Sequence, residues 1–588
     1  MKITLSKIAI VAENAELAES ISAHFRAPRV YVSVIEAPTV RLEEFGVFEN
    51  DCIHVTNAIK GHHPQLVLLV ACSEKVAEKI RTYLPPLDSL EINKFDPTTL
   101  SGLIGFRKNP VAIEVNYLRP HRRRHIVAVE KGDAMSLVIA RNLAAASGAD
   151  IFLLPEVAEE QRELISDKLR DWANESGLLK DEAKDQVLTF INAQLGPLPS
   201  AEPETVTFIT SGVPYGIYPF RCPTTHLLRY PLLGVSALNG MVKSLNHARR
   251  SPAVVFIDPG AVERSELPLL KQAFCNAGYL MRSATGANAT AGQARELTEM
   301  LPSDFIFYST HCGEVRGRRV KERFTDRKRN DHEIAYDVVR NVSRTSTPGM
   351  LRLDHFMRFL SLDGVSWTDD DGKRRINAGD ILRDFLEMNK RRGANPEQFQ
   401  IIESVESPLI KSSDSLQMND FAYFPVPQVV GGYMHPTVFN NACSSWREFA
   451  SRYGCSGASV YIGTSLDVLD SLAQQVAMSF AHAAAIGKNI GYALFRAQKQ
   501  FIQQMGYTPY LMHGYLFTTI RPLPHSAPPP ALIVASKIIE VLAACEKSWS
   551  HEPRGKREFD ATKNFLQNEL ELLKKMQMRS RMNRSGNA

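Results

Sequence analysis

Two residues of this 588-residue chain combine reactive side chains with suggestive placement. The apolar run 304–308, DFIFY, leads directly into Ser309, Thr310, His311, Cys312, Gly313 and Glu314. The run 437–440, TVFN, leads into Asn441, Ala442, Cys443, Ser444 and Ser445. Each run reads as a buried strand, so His311 and Cys443 both follow a strand's carboxyl end, where ligands and catalytic groups collect in an open parallel sheet. A thiolate attacks a carbonyl carbon far better than a thiol does, and a neighbouring imidazole takes the sulfur's proton and returns it to the leaving amine. That is the chemistry of thiol-dependent peptide hydrolysis. It further needs backbone N–H donors aimed at the developing oxyanion, which Gly313 beside the histidine and the Cys443 amide can supply. Taken singly, each residue has an ordinary explanation, because cysteine is among the most buried types and a histidine at a strand end is commonly a hydrogen-bonded surface or core group. The context of the pair therefore decides.

That context is α/β. From residue 3 to about 204, short runs rich in Val and Ile (7–12, 29–35, 65–70, 125–129) alternate with helix-patterned stretches, as in parallel-sheet construction. Residues 125–156 spell out one β-α-β unit, with Gly132 and Asp133 at the helix start as a cap or anion site and Gly148 as its stop. The stretch 196–203, GPLPSAEP, reads as a linker and places a boundary near residue 205. Beyond it the pattern predicts strand 253–258, helix 267–276, strand 279–283, helix 291–300 and strand 304–308. A polar, charge-rich insertion spans 315–434, followed by strands 437–440 and 459–463 and helices 470–486 and 491–503. A proline-rich connector, RPLPHSAPPPA from Arg521, precedes two amphipathic helices, 532–547 and 560–576, expected to pack on the body or on a partner. The expected division is an N-terminal α/β region, 1–204, a site-bearing domain, 205–525, and a helical C-terminal tail, 531–588.

In this order of elements, residues 206–520 resemble the CHAT domains, bacterial relatives of caspases and separase among the caspase-like cysteine peptidases. The strand–helix–strand–helix–strand series ending in His-Gly is matched by AVVFID, LPLLKQAF, YLMRSA, ATAGQARELTEML and DFIFYSTHCG. The strand that ends in Ala-Cys is matched by FNNACSS. GCSGASVYIGTSLDVLD (454–470) and GKNIGYALFRAQKQF (487–501) are similar to the following strand and closing helix, and VPYGIYPF (213–220) to the entrance of such a domain. The resemblance implies a mostly parallel caspase-like sheet flanked by helices, with His311 as general acid/base and Cys443 as nucleophile. It implies an oxyanion hole from the Cys443 amide and the backbone just after His311. Because Cys312 intervenes before Gly313, both Cys312 and Gly313 are candidates for that donor. The family's Trp before its Val-x-Asp segment is Leu466 here, and the insertion is longer than the minimal caspase pattern carries.

Asp470, and after it Asp467, stand where separase-like members place an acid at the mouth of the pocket for the residue before the cut. A carboxylate there favours Arg or Lys through a charge-assisted bond. The alternative is that Asp470 caps a helix beginning at Ser471. The insertion's Arg316, Arg318, Arg319, Lys321, Arg323, Arg327, Lys328 and Arg329 face only Glu322 and Asp326, which reads as a solvated loop or as a regulatory loop cut by the protease itself. The resemblance further implies a cytoplasmic peptidase acting on a protein substrate and held latent until a regulatory protein, ligand or proteolysis releases it. The N-terminal region is then a sensor, scaffold or inactive caspase-like half, and antiphage defence or programmed cell death is the setting. The competing expectation is a catalytically dead scaffold or binding module, which the intrusion of Cys312 beside His311 favours.

Composition removes other classes. The 69 Lys and Arg against 64 Asp and Glu leave +5, and the last sixteen residues hold Lys574, Lys575, Arg579, Arg581 and Arg584 without an acid. The remainder is neutral on count, which argues against a nucleic-acid binder with a basic face spread over a domain. Eight cysteines (52, 72, 222, 275, 312, 443, 455, 545) show no CxxC pair, indicating reduced thiols and a cytosolic home. The apolar run 8–12 is too short for a signal peptide, and residues 531–545 are broken by Lys537 and Glu540, so no membrane span is expected. There is no GxxxxGK[ST], GxGxxG, HExxH or GxSxG. His62-His63 and the run HRRRH (121–125) lack zinc-ligand spacing and read as solvated loops. Cys312, Cys443 and Cys455 with His311 are better explained by peptidase chemistry than by zinc. No cofactor or metal is expected.

Overall fold

The structure is a computed structural model that describes residues 2–38, 47–84, 88–92, 112–114, 125–196, 203–245, 250–261, 266–344, 351–389, 392, 396–407, 409–410, 413–425, 427–520, 522–524, 526–549 and 556–585. The expected linker at 197–202, residues 121–124 of the HRRRH run, and Arg521 and His525 of the connector lie outside these residues. The protein is of the mixed α/β class, with a large, mostly parallel central sheet flanked by helices and a C-terminal helical region. No helix among the described residues is long and apolar enough to cross a membrane.

The N-terminal runs form a first sheet. Strands β1 (Lys2–Ala12), β2 (Val30–Glu36), β3 (Leu66–Val70) and β4 (Asp88–Ile92) lie parallel in the order β2-β1-β3-β4, and β5 (Ala112–Glu114) pairs antiparallel with the start of β1. The near-continuous Val/Ile/Leu composition of β3 and of the second half of β1 follows from burial on both faces. Every residue of β3 is buried.

The second sheet holds the site. Its strands are β6 (His125–Glu130), β7 (Asp150–Leu154), β8 (Thr205–Thr210), β9 (Thr224–Leu228), β10 (Ala253–Asp258), β11 (Leu280–Thr285), β12 (Phe305–Tyr308), β21 (Thr437–Asn440), β22 (Val460–Thr464) and β23 (Tyr510–Gly514). They run in the order β11-β10-β12-β21-β22-β23-β9-β8-β6-β7, and only the β22–β23 pairing is antiparallel. The division expected at residue 205 does not coincide with an edge of this sheet, because β6 pairs directly with β8 across it. The physical reason is burial: Ile126, Val127, Ala128 and Val129 are enclosed, so β6 needs a neighbour on each side, and β7 alone supplies one. The helical pair Glu159–Asn174 and Gly177–Leu195 carries the chain from β7 back to β8. Asp133 is a cap: its carboxylate accepts from the Met135 and Ser136 amides at 3.2 and 3.1 Å.

The insertion is a folded module where a loop is expected. Strands β14 (Gly317–Thr325), β15 (Asp331–Arg344), β16 (Leu351–Leu362), β17 (Val365–Ser366) and β18 (Phe399–Ser407) form an antiparallel sheet in the order β17-β16-β15-β14-β18. Half of the basic run, Arg318, Arg319, Lys321 and Arg323, lies on β14. Val320, Glu322 and Phe324 point inward while Arg319, Lys321 and Arg323 alternate outward, the period of a half-buried strand. Paired along its length by β15 and β18, β14 cannot enter a protease cleft without leaving its sheet, and only Arg327, Lys328 and Arg329 sit on a turn. A small sheet of β13 (Cys312–Gly313), β19 (Ser415–Gln417) and β20 (Ala422–Tyr423) joins the insertion to the site.

The C-terminal helices Pro530–Trp549 and Lys556–Ser585 pack on the body. Val534, Ile538, Phe565 and Leu566 share one core with Val255, Ile306 and Tyr308 of the large sheet. Arg282 on β11 makes a bidentate bond to Glu569, at 2.7 and 2.6 Å.

Candidate active site

Parallel pairing sets the geometry. β12 and β21 are neighbours, with Phe305 opposite Thr437 and Tyr308 opposite Asn440. His311 and Cys443 each lie three residues past those ends, so they leave the sheet level with one another from strands about 4.8 Å apart. The Asn441 amide extends the ladder by one bond to the Tyr308 carbonyl, 2.9 Å. His311, Cys443 and Asp470 line one cleft with Glu266, Asn441, Val468 and Tyr510. Its free space is about 20 Å³, room for a single water.

The histidine ring is oriented by the loop after β10. Its Nε2 lies 3.0 Å from the Ala261 carbonyl oxygen. A carbonyl only accepts, so the neutral ring carries its proton on Nε2 and keeps the lone pair on Nδ1. The cysteine follows a tight turn: Ser444 adopts φ +52°, a left-handed conformation that costs a non-glycine residue on the order of 1 kcal/mol, and its hydroxyl donates to Asp467 at 3.2 Å. The Cys443 sulfur accepts from the Val468 amide at 3.4 Å and faces the Val468 carbonyl at 3.8 Å, without a direct hydrogen bond to His311. Burial pushes the thiol above its ordinary range, against the pull of its backbone hydrogen bond with Val468, and the carboxylates of Asp467 and Asp470 push upward as burial does. The sulfur is therefore a thiol at neutral pH.

Behind the pair lies a buried carboxylate that the sequence does not single out. Glu266, 3% exposed, accepts from the Ser309 hydroxyl and, at 2.8 Å, from the Asn441 amide nitrogen, while the Tyr510 hydroxyl donates to the Asn441 carbonyl oxygen. Ser309 and Asn441 each sit two residues before one member of the pair, so one side chain ties the two strand ends together. Burial raises the Glu266 pKa, against the opposing pull of its two donors. Glu266→Ala leaves the Ser309 hydroxyl and the Asn441 amide without their acceptor, and thermal unfolding should report a loss of about 1–3 kcal/mol. Glu266→Gln, which keeps a carbonyl oxygen, should lose less. Equal stability of the alanine variant and wild type would contradict the tie.

On the other side of the pair a cavity of about 330 Å³ opens, lined by Cys312, Gly313, Glu314, Asp414, Ser444, Trp446, Arg447 and Asp467 among others. Its arginines are engaged: Arg447 donates to Ser166 and Arg170 pairs with Asp167. Asp467 lines this cavity, whereas Asp470 lines the small cleft beside His311 and Cys443. Asp470 is not a cap for a helix starting at Ser471; it is the first residue of helix Asp470–Ala485, with Leu469 at the N-cap position. Of the two amides after His311, register distinguishes one. Cys312 pairs with Leu416 and Gly313 with Ser415, and the Gln417 amide donates to the His311 carbonyl at 2.9 Å. Antiparallel alternation then turns the Gly313 amide toward β19 and the Cys312 amide away from it.

The remaining candidates separate from the site. Cys455 is buried at the far end of helix Trp446–Cys455, its sulfur 3.7 Å from the Leu232 carbonyl, and no cluster of three or more His, Cys, Asp or Glu suited to a metal occurs among the described residues. His62 is a core residue where a solvated loop is expected: Nε2 lies 2.7 Å from the Ser6 carbonyl, Nδ1 is 3.2 Å from the Ser33 hydroxyl, and burial lowers its pKa to about 4. Asn441 directly precedes Ala-Cys but, like Glu266 and Ala261, carries no sequence pattern that marks its role, and all three emerge only from the fold. Comparison with protein-family models finds no match for this chain, and comparison with curated proteins finds none.

Proposed function

We propose that the chain is a caspase-like cysteine endopeptidase in a resting state, with Cys443 as nucleophile and His311 as general acid/base. The observation that carries this reading is the in-register pairing of β12 with β21, which delivers both residues to one cleft. Because Cys443 is a protonated thiol, proton transfer accompanies attack. His311 Nδ1 takes the S–H proton as the sulfur–carbon bond forms, and the carbonyl π electrons move onto oxygen. The Cys312 amide and the Cys443 amide stabilise that oxyanion. The C–N bond then breaks as Nδ1–H protonates the leaving amine, and water releases the acyl group by the reverse sequence. Latency follows from three features: a cleft that admits one water, a sulfur turned to Val468, and carboxylates that disfavour the thiolate.

The acidic cavity supports a basic residue before the cut. Its volume of about 330 Å³ suits one long side chain, and Asp467, Glu314 and Asp414 supply the negative charge. Digestion of a peptide library should yield cuts after Arg or Lys, absent in Cys443→Ala. Asp467→Ala should lower kcat/KM for an Arg substrate about tenfold or more, the worth of a charge-assisted hydrogen bond. Cuts confined to Asp or small apolar residues would defeat this assignment. A role in bacterial antiphage defence or programmed cell death, under control of a regulatory partner, is the biology that such a latent peptidase suits.

The raised thiol pKa has a direct readout. The Cys443 thiolate is disfavoured in the fold, so its alkylation by iodoacetamide should be slow at neutral pH and keep climbing above the ordinary thiol range. Asp467→Asn and Asp470→Asn should each move the inflection downward. An inflection below the ordinary range in the wild-type protein would contradict the resting geometry. The second reading, a non-catalytic scaffold of the same fold, is favoured by the same protonated sulfur and by the missing direct bond to His311.

A further inference from the structure

We propose that the insertion carries a binding site for a small molecule bearing a polyphosphate, of nucleotide size. One face of the β15–β14–β18 sheet is covered at one end by helix Ala378–Asn389, where Phe385 meets Phe324 and Tyr336. At the other end a groove of about 880 Å³ is open, within the range of small-molecule pockets. The pairing register builds it. Arg318 lies between Val338 and Glu406, and Val320 lies between Tyr336 and Ser404. Arg316, Arg340 and Arg392 complete the lining, so four guanidinium groups face one carboxylate, Glu406, over an apolar floor.

The state of these arginines points to an anion. Arg392 is held in place, bonded to Glu322 at 2.6 Å and stacked over Phe399 at 4.6 Å. Arg319 and Lys321, on the opposite face of β14, have carboxylate partners in Asp337 and Glu333 at 2.8 and 2.7 Å. Arg316, Arg318 and Arg340 make no ion pair among the described residues. Three like charges gathered on neighbouring strands repel one another, and a multiply charged anion relieves that repulsion. The planar guanidinium fork matches phosphate oxygens two at a time, and the Val320–Val338 floor offers a base or similar ring an apolar seat. A groove of about 880 Å³ with an apolar floor suits a compact ligand better than an extended nucleic acid.

The groove is wired to the catalytic residues by a short stretch of chain. Gly313 pairs with Ser415, the Val315 amide donates to Ser413 Oγ at 2.9 Å, and the Ile410 amide donates to the Val315 carbonyl at 3.0 Å. Arg316 follows directly. At Gly317 a β-carbon would come within 2.6 Å of the Val338 carbonyl oxygen, so the strand is seated closely there. A ligand that draws Arg316 and Arg318 inward therefore pulls on the backbone that carries the Cys312 amide, and acts as an effector. This consequence rests on the peptidase reading; the binding site does not.

Isothermal titration of the full chain with ATP, with inorganic tripolyphosphate and with an oligothymidylate, at roughly 150 mM salt, tests the site. Saturable one-to-one binding of ATP or tripolyphosphate is expected, weakened about tenfold in Arg318→Ser and in Arg340→Ser and unchanged in Lys321→Ser on the opposite face. Tripolyphosphate matching ATP would assign the recognition to phosphate, and tighter ATP binding would assign part of it to the base. Absence of saturable binding, equal affinity in wild type and both groove variants of unchanged thermal stability, or tighter binding of the oligothymidylate would overturn the proposal. The effector role predicts that saturating ATP changes the rate of Cys443 labelling, and an unchanged rate in the ligand-bound protein would overturn that half. Failure of Cys443 to label under any condition strikes the peptidase reading alone.

Discussion

Replacing His311 by alanine should slow acylation of Cys443 by a peptide electrophile about 10²- to 10⁴-fold, the usual contribution of a positioned general base. The dependence is strong because burial and two neighbouring carboxylates keep the sulfur protonated, so no thiolate stands ready to react without help. The fold should tolerate the change. His311 is exposed, its ring bonds only the Ala261 carbonyl among the described residues, and its backbone bond to Gln417 survives the substitution, so unfolding should shift by no more than about 0.5 kcal/mol. The residual rate of the variant should rise with pH toward the raised pKa of the thiol, because hydroxide then replaces the missing base. A His311→Ala protein that labels at the wild-type rate would remove the histidine from the mechanism.

The largest stability effect is expected far from the chemistry, at Lys243. This lysine, buried in helix Leu233–Leu245, pairs with Asp304 at 2.6 Å and donates to the Met434 carbonyl at 2.9 Å, while Asp304 also accepts from the Ser251 amide at 3.1 Å. Both side chains are almost fully enclosed. Lys243→Met strands a buried carboxylate and should cost about 3–5 kcal/mol in urea denaturation, whereas Lys243→Met with Asp304→Asn removes the uncompensated charge and should recover part of it. Asp304 immediately precedes β12, and its carbonyl accepts the Thr437 amide that opens β21, at 3.0 Å. The pair therefore fixes the near ends of the two strands whose far ends carry His311 and Cys443, and labelling of Cys443 should fall along with stability. A single variant as stable as wild type would refute the ledger for this pair.

How much of this was legible depended on the length scale of each cue. DFIFY and TVFN are short, have apolar centres and are bounded by polar residues, so β12 and β21 could be read locally, and each reactive residue could be placed at a strand's end. Their adjacency is a long-range property, supplied at the sequence level only by the order of elements. The charge count misled at β14: eight basic residues in fourteen suggested solvent, yet the alternation of Val320, Glu322 and Phe324 with Arg319, Lys321 and Arg323 carried the strand signal, and the buried Glu322 is satisfied by Arg392 and Tyr336 from elsewhere in the chain. The sheet continues across residue 205 for a related reason. A proline- and glycine-rich connector marks a loop, not the limit of a sheet, and β6 and β7 return to pair on its far side. Asp467 and Asp470 differ by three residues, and the turn into helix Asp470–Ala485 directs them to different cavities, which spacing alone does not reveal.

The central claim is that one cysteine among eight is the nucleophile and that one histidine activates it. Peptide mapping by mass spectrometry after treatment with an arginyl acyloxymethyl ketone tests it most directly. Cys275 is exposed and serves as the internal control for untargeted thiol reactivity. The predicted result is a single adduct on Cys443, lost in His311→Ala and weakened in Asp467→Ala. An adduct distributed over Cys275 and other thiols, with Cys443 unmodified under activating conditions, would contradict the account and leave the scaffold reading in its place.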